Sequence, residues 1–420
     1  MSNTALMLLK SVKRALLRAM TMLHSVFWGI ISLPFVLLIR ILKPFVIVRL
    51  VQLDIGRIGG TFNAYWYLCE KECGSHTGKN YFDVFYFIRS TEIISNRQWL
   101  KMWKRALATF PLDQLAFAVD NLNRKLPGSE KHLIPLFERQ TWQLDNEAVK
   151  CVLKSNRLFL SFTEDEIKRG QEMLRNLGIP EGQEFVCFHN RDSAYLDKVY
   201  PKRDWSYHDC RDSNVEHYIE AAKEMVSRGY VAIRLGAEIK NIIKNTIPGI
   251  IDYAGDNAAH NDLLDVYLGA NCRFLICSET GLAITALVFK RPILFVNYVV
   301  IDLIYTYHYN STSIAITKKF FSNKEKRLLT FKEIIERGLG RVGNGEIFKR
   351  NDITLVENSP EEIKEAAIEM DERIKGIWKE DPEDEKLQQK YWALYDKAIV
   401  KNPNFRIGAE FLRKYKDLLI

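Results

Sequence analysis

The sequence predicts an α/β protein with two Rossmann-type units facing a cleft, an N-terminal membrane-associated helical segment and a helical C-terminal tail. Three observations carry this expectation. Short β-rich runs alternate with helical runs over most of the chain, as in a mostly parallel sheet covered on both faces. A turn cluster, Gly178 to Gly182, divides that pattern into two series. The excess positive charge sits in one apolar end: residues 1–50 hold Lys10, Lys13, Arg14, Arg18, Arg40, Lys43 and Arg49 and no Asp or Glu, which is +7 of a net +8.

That charge distribution excludes function classes. A nucleic-acid protein spreads basic residues over a folded face, whereas residues 51–420 carry only +1. The 420 residues suit two to three ordinary domains, and a 47% hydrophobic, 27% charged composition excludes wholesale disorder. Seven cysteines are scattered, and neither Cys69/Cys73 nor Cys272/Cys277 has zinc-ribbon or CxxC spacing. Free thiols in a reducing compartment are expected, with no metal site.

Residues 5–23 place Lys10, Lys13, Arg14 and Arg18 on one helical arc, opposite Leu9, Val12, Leu16, Met20 and Leu23. Such a basic amphipathic helix lies in an anionic membrane interface. The uncharged run Thr21 to Ile39 follows, 19 residues interrupted by Pro34 and flanked by cations on both sides. It is near the lower limit for a span, so a re-entrant or shallow insertion and a single transmembrane anchor both remain open. It lacks the cleavage site of a secretory signal.

The first series begins with a strand, Val46 to Asp54, then Arg57-Ile58-Gly59-Gly60 and a helix from Thr61 to Glu72. Asp83 to Ile88 reads as a strand, Asn96 to Ala108 as a helix and Leu115 to Val119 as another strand. Thr163 to Leu177 is a helix opened by a Thr163/Glu166 capping box. The second series has strands at Phe185 to His189, Tyr230 to Leu235, Arg273 to Cys277 and Pro292 to Asn297, with helices at Glu216 to Ser227, Asp262 to Ala270 and Leu282 to Phe289. Ser359 to Glu362 opens a further helix with Pro at its first position. The tail reads as largely helical. The domain boundaries expected are 1–50, 51–180, 181–378 and 379–420.

Candidate chemistry collects after strands of the second series, at the edge where open α/β sheets bind ligands. His189, Arg191 and Asp192 follow one strand. A guanidinium there can grip a diphosphate, and Asp192 or His189 can remove a proton from an acceptor hydroxyl. Ser278, Glu279, Thr280 and Gly281 join another strand to a helix whose N-terminus suits phosphate, Glu279 being suited to ribose or sugar hydroxyls. Arg234 ends a third strand at the same edge. In the first unit Arg57, Gly59 and Gly60 form a loop whose glycines admit a ligand or simply make the turn. The polar and aromatic run Tyr200 to Asp212 could cover a site or be solvated. Gly338-x-Gly340-x-x-Gly343 follows a helical run, so its dinucleotide reading fails. No Walker A, GxSxG or HEXXH occurs.

The strings RIGG…YLCEK, VCFHNRDSAYL, NVEHYIEAAKEMVSRGYVAIRLG, NDLLDVYLGANCRFLICSETGL and ENSPEEI together resemble a bacterial family of glycosyltransferases encoded among surface-polysaccharide genes. The resemblance covers nearly the whole chain. It departs at Gly60, where the family often has His, which puts a catalytic role there in doubt. A more distant similarity is to GT-B fucosyltransferases, which carry an HxR motif after a donor-domain strand. His189-Asn190-Arg191 matches that spacing and implies Arg191 as the diphosphate ligand. The resemblance implies the GT-B fold, with an acceptor domain at 51–180 and a nucleotide-sugar donor domain at 181–378. The expected activity is metal-independent glycosyl transfer from a nucleotide-sugar to a saccharide or lipid-linked acceptor, at the cytoplasmic face of the bacterial inner membrane, peripheral or monotopic. No cofactor beyond the co-substrate is expected, and no nucleic acid. The alternatives are a sugar-nucleotide epimerase of this architecture and a non-catalytic scaffold of polysaccharide assembly.

Overall fold

The computed structural model describes residues 20, 26–76, 80–88, 94–138, 146–243, 247–256, 260–304, 312–396 and 402–420. Apart from Met20, the basic amphipathic segment 5–23 lies outside the described residues.

The first unit contains helix α1 through 26–41, β1 (Ile47–Asp54), α2 (Phe62–Glu72), β2 (Tyr81–Ile88), α3 (Arg97–Ala106), α4 (Asp113–Arg124), α5 (Pro135–Glu138), α6 (Asn146–Lys154) and α7 (Glu164–Asn176). β1 and β2 pair in parallel from Ile47↔Tyr81 to Asp54↔Ile88. Both faces of the pair are covered, which explains why β1 is apolar at consecutive positions. Val51, Leu53, Phe85 and Phe87 enter the main core. Val48 and Leu50 instead meet α1 and α4 through Val36, Ile39, Leu115 and Val119.

The register sets Arg49 opposite Asp83. The buried guanidinium donates to the carboxylate at 2.5 and 2.7 Å, and the Tyr67 hydroxyl donates to it at 2.6 Å. Arg40 donates to the Asn123 side chain at 2.9 Å and to the Pro127 carbonyl at 2.8 Å. Two of the seven N-terminal cations thus hold the fold together.

Leu115 to Val119 is not the expected strand but part of α4. Leu115, Ala116, Val119, Asp120 and Asn123 are its buried residues, a helical spacing that the five-residue window LAFAV is too short to display. α7 has its capping box: Thr163 accepts the Glu166 N–H, and Glu166 accepts the Thr163 N–H at 2.9 Å.

The second unit follows as β3 (Phe185–His189), α8 (Ala194–Val199), α9 (Ile219–Ser227), β4 (Val231–Arg234), β5 (Ile250–Ile251), α10 (Asp262–Asn271), β6 (Leu275–Cys277), α11 (Ile284–Val288), β7 (Ile293–Tyr298), β8 (Ser313–Thr317), β9 (Lys319–Ser322), β10 (Arg327–Leu328), α12 (Phe331–Glu336), α13 (Gly345–Arg350), β11 (Ile353–Val356), α14 (Pro360–Lys375), α15 (Pro382–Ala393), β12 (Phe405–Ile407) and α16 (Ala409–Lys414). Seven strands form a parallel sheet in the order β12-β8-β7-β6-β3-β4-β5. β10, β9 and β11 make a small antiparallel sheet.

The tail is less helical than expected. β12 joins the main sheet beside β8, and its Ile407 N–H is received by the buried Gln388 side chain at 3.2 Å. Three residues are too few to show strand periodicity. One apolar core runs unbroken from Val51 and Trp66 of the first unit to Ile314 and Leu412 of the second. Asn96, the N-cap of α3, also donates to the Asp262 carbonyl at 2.9 Å, tying α3 to α10.

Candidate functional site

Every strand of a parallel sheet ends on the same edge, so the loops after β3, β4, β6, β7 and β8 are neighbours by topology. The structure brings the residues after β3 and β6 together directly. The Arg191 N–H donates to the fully buried Ser278 hydroxyl at 3.2 Å.

The Arg191 side chain turns under the loop 200–212. Its guanidinium donates to the His208 carbonyl at 3.2 Å and pairs with Asp212. The Lys318 ammonium, just past β8, donates to the Asp212 carbonyl at 2.6 Å. Arg211 lies in the same cluster and donates to the His208 ring at 2.5 Å. Its buried Nε–H has no acceptor, and among the described residues no carboxylate forms an ion pair with it. Trp205 stacks on His208 at 5.6 Å and 12°.

The electrostatics show how crowded these cations are. Burial first, and then Arg211, Arg191 and Arg57, push His208 down to about 3. Burial first, and then Arg211, lower Arg191 to about 10. Arg57 comes from the first unit and is exposed. Grouping cations in a partly buried place disfavours their charged forms, and an anionic ligand relieves that. A cavity of about 380 Å³ adjoins the cluster, lined by Asn190, Asp192, Asp209, Asp212, Lys240, Lys318 and Glu357 among others, so that carboxylates as well as lysines face it. That is within the size range of small-ligand sites.

The remaining expected residues have definite places. His189 donates from Nδ1 to the Leu235 carbonyl at 2.8 Å, and burial lowers it to about 4, so the ring is neutral. Each Asp192 carboxylate oxygen accepts one backbone N–H at 3.0 Å, from Ala194 and from Lys240. Arg234 does not reach the cavity. It is wholly buried and donates to Asn190 Oδ1 at 3.0 Å, to the Asn241 carbonyl at 2.8 Å and to Asp252 at 3.4 Å. Glu279 accepts the Val299 N–H at 2.7 Å, and burial raises its pKa. Thr280 caps the turn by accepting the Leu282 N–H at 3.4 Å.

Gly59 and Gly281 belong to two loops singled out as places where a ligand approaches backbone. Here they approach each other. A Cβ at Gly59 would lie 2.9 Å from the Gly281 Cα, and one at Gly281 would lie 3.2 Å from the Gly59 Cα. The Tyr195 hydroxyl donates to the Gly56 carbonyl at 3.1 Å beside them. Gly60 answers a turn requirement, since its Cβ would be 2.6 Å from the Asp54 carbonyl oxygen.

Sequence reasoning missed Arg211, Asp212 and Lys318 as members of one cluster. The basic pair Lys318-Lys319 next to a strand was the available signal, and only Lys318 serves the cluster. Lys319 is bound to Glu362 at 2.8 Å. Among the described residues, no three His, Cys, Asp or Glu side chains converge as a metal site.

No protein-family model matches the chain, and no curated protein matches it. Among solved structures, it is similar to the glycosyl transferase family 9 protein of Veillonella parvula DSM 2008, with TM-score 0.46 and 10% identity over 78% of this chain and 96% of that one. It is also similar to the ADP-heptose lps heptosyltransferase II of E. coli, with TM-score 0.31 and 13% identity over 59% of this chain and 84% of that one. A third likeness, TM-score 0.30 and 13% identity, is to the iron-containing dodecameric glycosyltransferase TibC of enterotoxigenic E. coli, over 63% of this chain and 61% of that one. At these scores they are likenesses only.

Proposed function

We propose that the chain is a glycosyltransferase using a nucleotide-sugar donor held by the second unit. One observation carries the reading: Arg191 and Arg211 both donate to His208 and Lys318 donates to Asp212, the partner of Arg191, beside a cavity at the carboxyl edge of a parallel sheet. Glycosyl transfer releases a nucleoside diphosphate, and charge develops on it as the sugar departs. Guanidinium and ammonium groups aimed at that position stabilise the transition state. Arg211, which forms no ion pair with a carboxylate among the described residues, is the donor in the cluster best prepared for a new acceptor.

Asp192 is the proposed base. It lines the cavity, and each of its oxygens retains a lone pair after accepting one N–H. His189 is neutral and its Nδ1 is engaged. The acceptor in this reading is a lipid-linked saccharide, presented from the first unit at the cytoplasmic face of the membrane.

Calorimetric titration with UDP, GDP, CDP and dTDP and their sugar conjugates tests this. One nucleoside diphosphate should bind, and Arg211→Ala should weaken it about ten- to hundredfold by removing a charge-assisted contact. Absence of heat with every nucleotide would remove the reading.

A further inference from the structure

We infer that the outer face of α1 lies in the plane of an anionic lipid bilayer surface, with the helix seated on the protein instead of passing through the membrane. This stands apart from the donor-site reading, because none of the residues it rests on belongs to the second unit.

The seat is well defined. Trp28, Ile31, Val36 and Ile39 pack on Leu115, Val119, Val48 and Leu50, and Arg40 is bonded to the end of α4. The opposite face should then be polar, as on any helix that covers a core. It is not. Val26, Ile30, Leu33, Leu37, Leu38 and Ile41 recur at helical spacing and are 48% to 70% exposed. Phe45, just beyond the helix, is 73% exposed. A face of this composition marks an interaction surface.

Charge identifies the occupant. Arg40 and Arg49 are engaged internally, which leaves Lys43 just past the helix and, earlier in the sequence, Lys10, Lys13, Arg14 and Arg18, with no acidic residue before Asp54. A second copy of the chain would bring the same cations against one another. An anionic bilayer supplies both hydrocarbon for the face and negative headgroups for its flanks. The seat decides the orientation: lipid cannot surround a helix whose other side is packed on β1 and α4. Among the described residues no helix is long and apolar enough to cross a membrane.

The test uses the full chain and extruded vesicles. The protein should sediment with phosphatidylcholine vesicles containing phosphatidylglycerol, and about tenfold or more weakly with phosphatidylcholine alone. Ile30→Asp with Leu37→Asp should weaken sedimentation by a similar or larger factor, while the urea unfolding midpoint stays unchanged, since both side chains are exposed. A fluorophore on Leu37→Cys, in a Cys73→Ser background, should be quenched more by lipids brominated near the headgroup than by lipids brominated near the chain end. The reverse order means a spanning helix and overturns the in-plane placement. Equal binding to both vesicle types removes the anionic surface. A dimer in vesicle-free solution that the double variant dissociates assigns the face to a second copy.

Discussion

Arg191 and Arg234 stand at the ends of two hydrogen-bonded parallel strands, β3 and β4, where Phe188 is in register with Arg234. Their surroundings differ. Around Arg234, every partner lies within the sheet edge itself: the Asn190 amide, the Asn241 carbonyl and Asp252. Around Arg191, the partners come from the loop 200–212, and a further cation, Arg211, crowds in from the same loop. The first arginine is wholly buried with its partners fixed by the sheet edge, although its Nε–H has no acceptor; the second is held by a covering loop that also brings Arg211, Asp209 and Asp212 to it. An arginine at a strand end therefore becomes structural or ligand-directed according to what covers it, and the covering is tertiary.

The largest expected effect tests the enclosed member. Arg234→Met should destabilise the protein by about 3 kcal/mol, because it leaves the buried Asn190 and the partly buried Asp252 without their cation. Urea unfolding measures it, and a loss below about 1 kcal/mol would put Arg234 among the ligand-directed groups.

Next is the pH response at the same edge. His189 is lowered from the usual histidine value to about 4, chiefly by burial. The unfolded chain therefore binds a proton that the folded one refuses. The stability at stake is complete above about pH 6.5 and is lost as pH falls from there toward 4, by up to about 3 kcal/mol. His189→Asn, which keeps a donor for the Leu235 carbonyl, should flatten that part of the stability profile. An unchanged slope in this variant would mean that other groups govern the acid limb.

The open member gives the third prediction. Arg191→Ala should weaken nucleoside diphosphate binding by about 1.5–3 kcal/mol, and Arg191→Lys should recover part of it, since an ammonium lacks the planar fork. Calorimetry distinguishes this from Arg234→Met, whose effect should fall on stability. If both substitutions move affinity equally, the contrast between the two arginines fails.

Much of this edge was legible in the sequence. The runs ending in His189, Leu235, Cys277 and Asn297 are apolar over four to five residues and stop at polar or glycine residues, so their shared edge follows from parallel topology alone. The capping boxes at Thr163 and Ser359 were legible because they depend on residues three apart. β12 was hidden in a charged tail, and α4 in a run too short to separate period 2 from period 3.6. Arg57 and Arg191 were singled out in the sequence, but their grouping with Arg211 and Lys318 was not legible. Its members come from four separate loops, and no local pattern encodes that loop 200–212 folds over Arg191. For the same reason Gly59 and Gly281 looked like ligand-approach glycines, when each makes room for the other. Gly59→Ala should therefore cost about 1–3 kcal/mol, more than Gly281→Ala, because its Cβ would sit closer to the facing backbone. A thermal unfolding series on the two variants checks the order.

The smallest expected effect on stability concerns Asp192, and it separates its two roles. Its carboxylate oxygens each accept a backbone N–H, from Ala194 and Lys240, so the side chain pins the loop after β3 to the loop after β4. Asn can accept only one of these bonds and turns an amide toward the other N–H. Asp192→Asn should then cost about 1 kcal/mol, similar to losing one cap. If pinning were its whole role, turnover would fall only as far as the loop loosens, and donor affinity would fall with it. If Asp192 also takes the acceptor proton, kcat should drop about a hundredfold or more while donor affinity stays within about threefold. Asp192→Glu supplies the control, since it keeps a basic oxygen but displaces it. As a base it should retain more turnover than Asn, whereas as a pin it should be the worse of the two. Steady-state kinetics and donor titration on both variants decide between the roles, and an Asn variant with undiminished kcat would leave Asp192 as a loop pin alone.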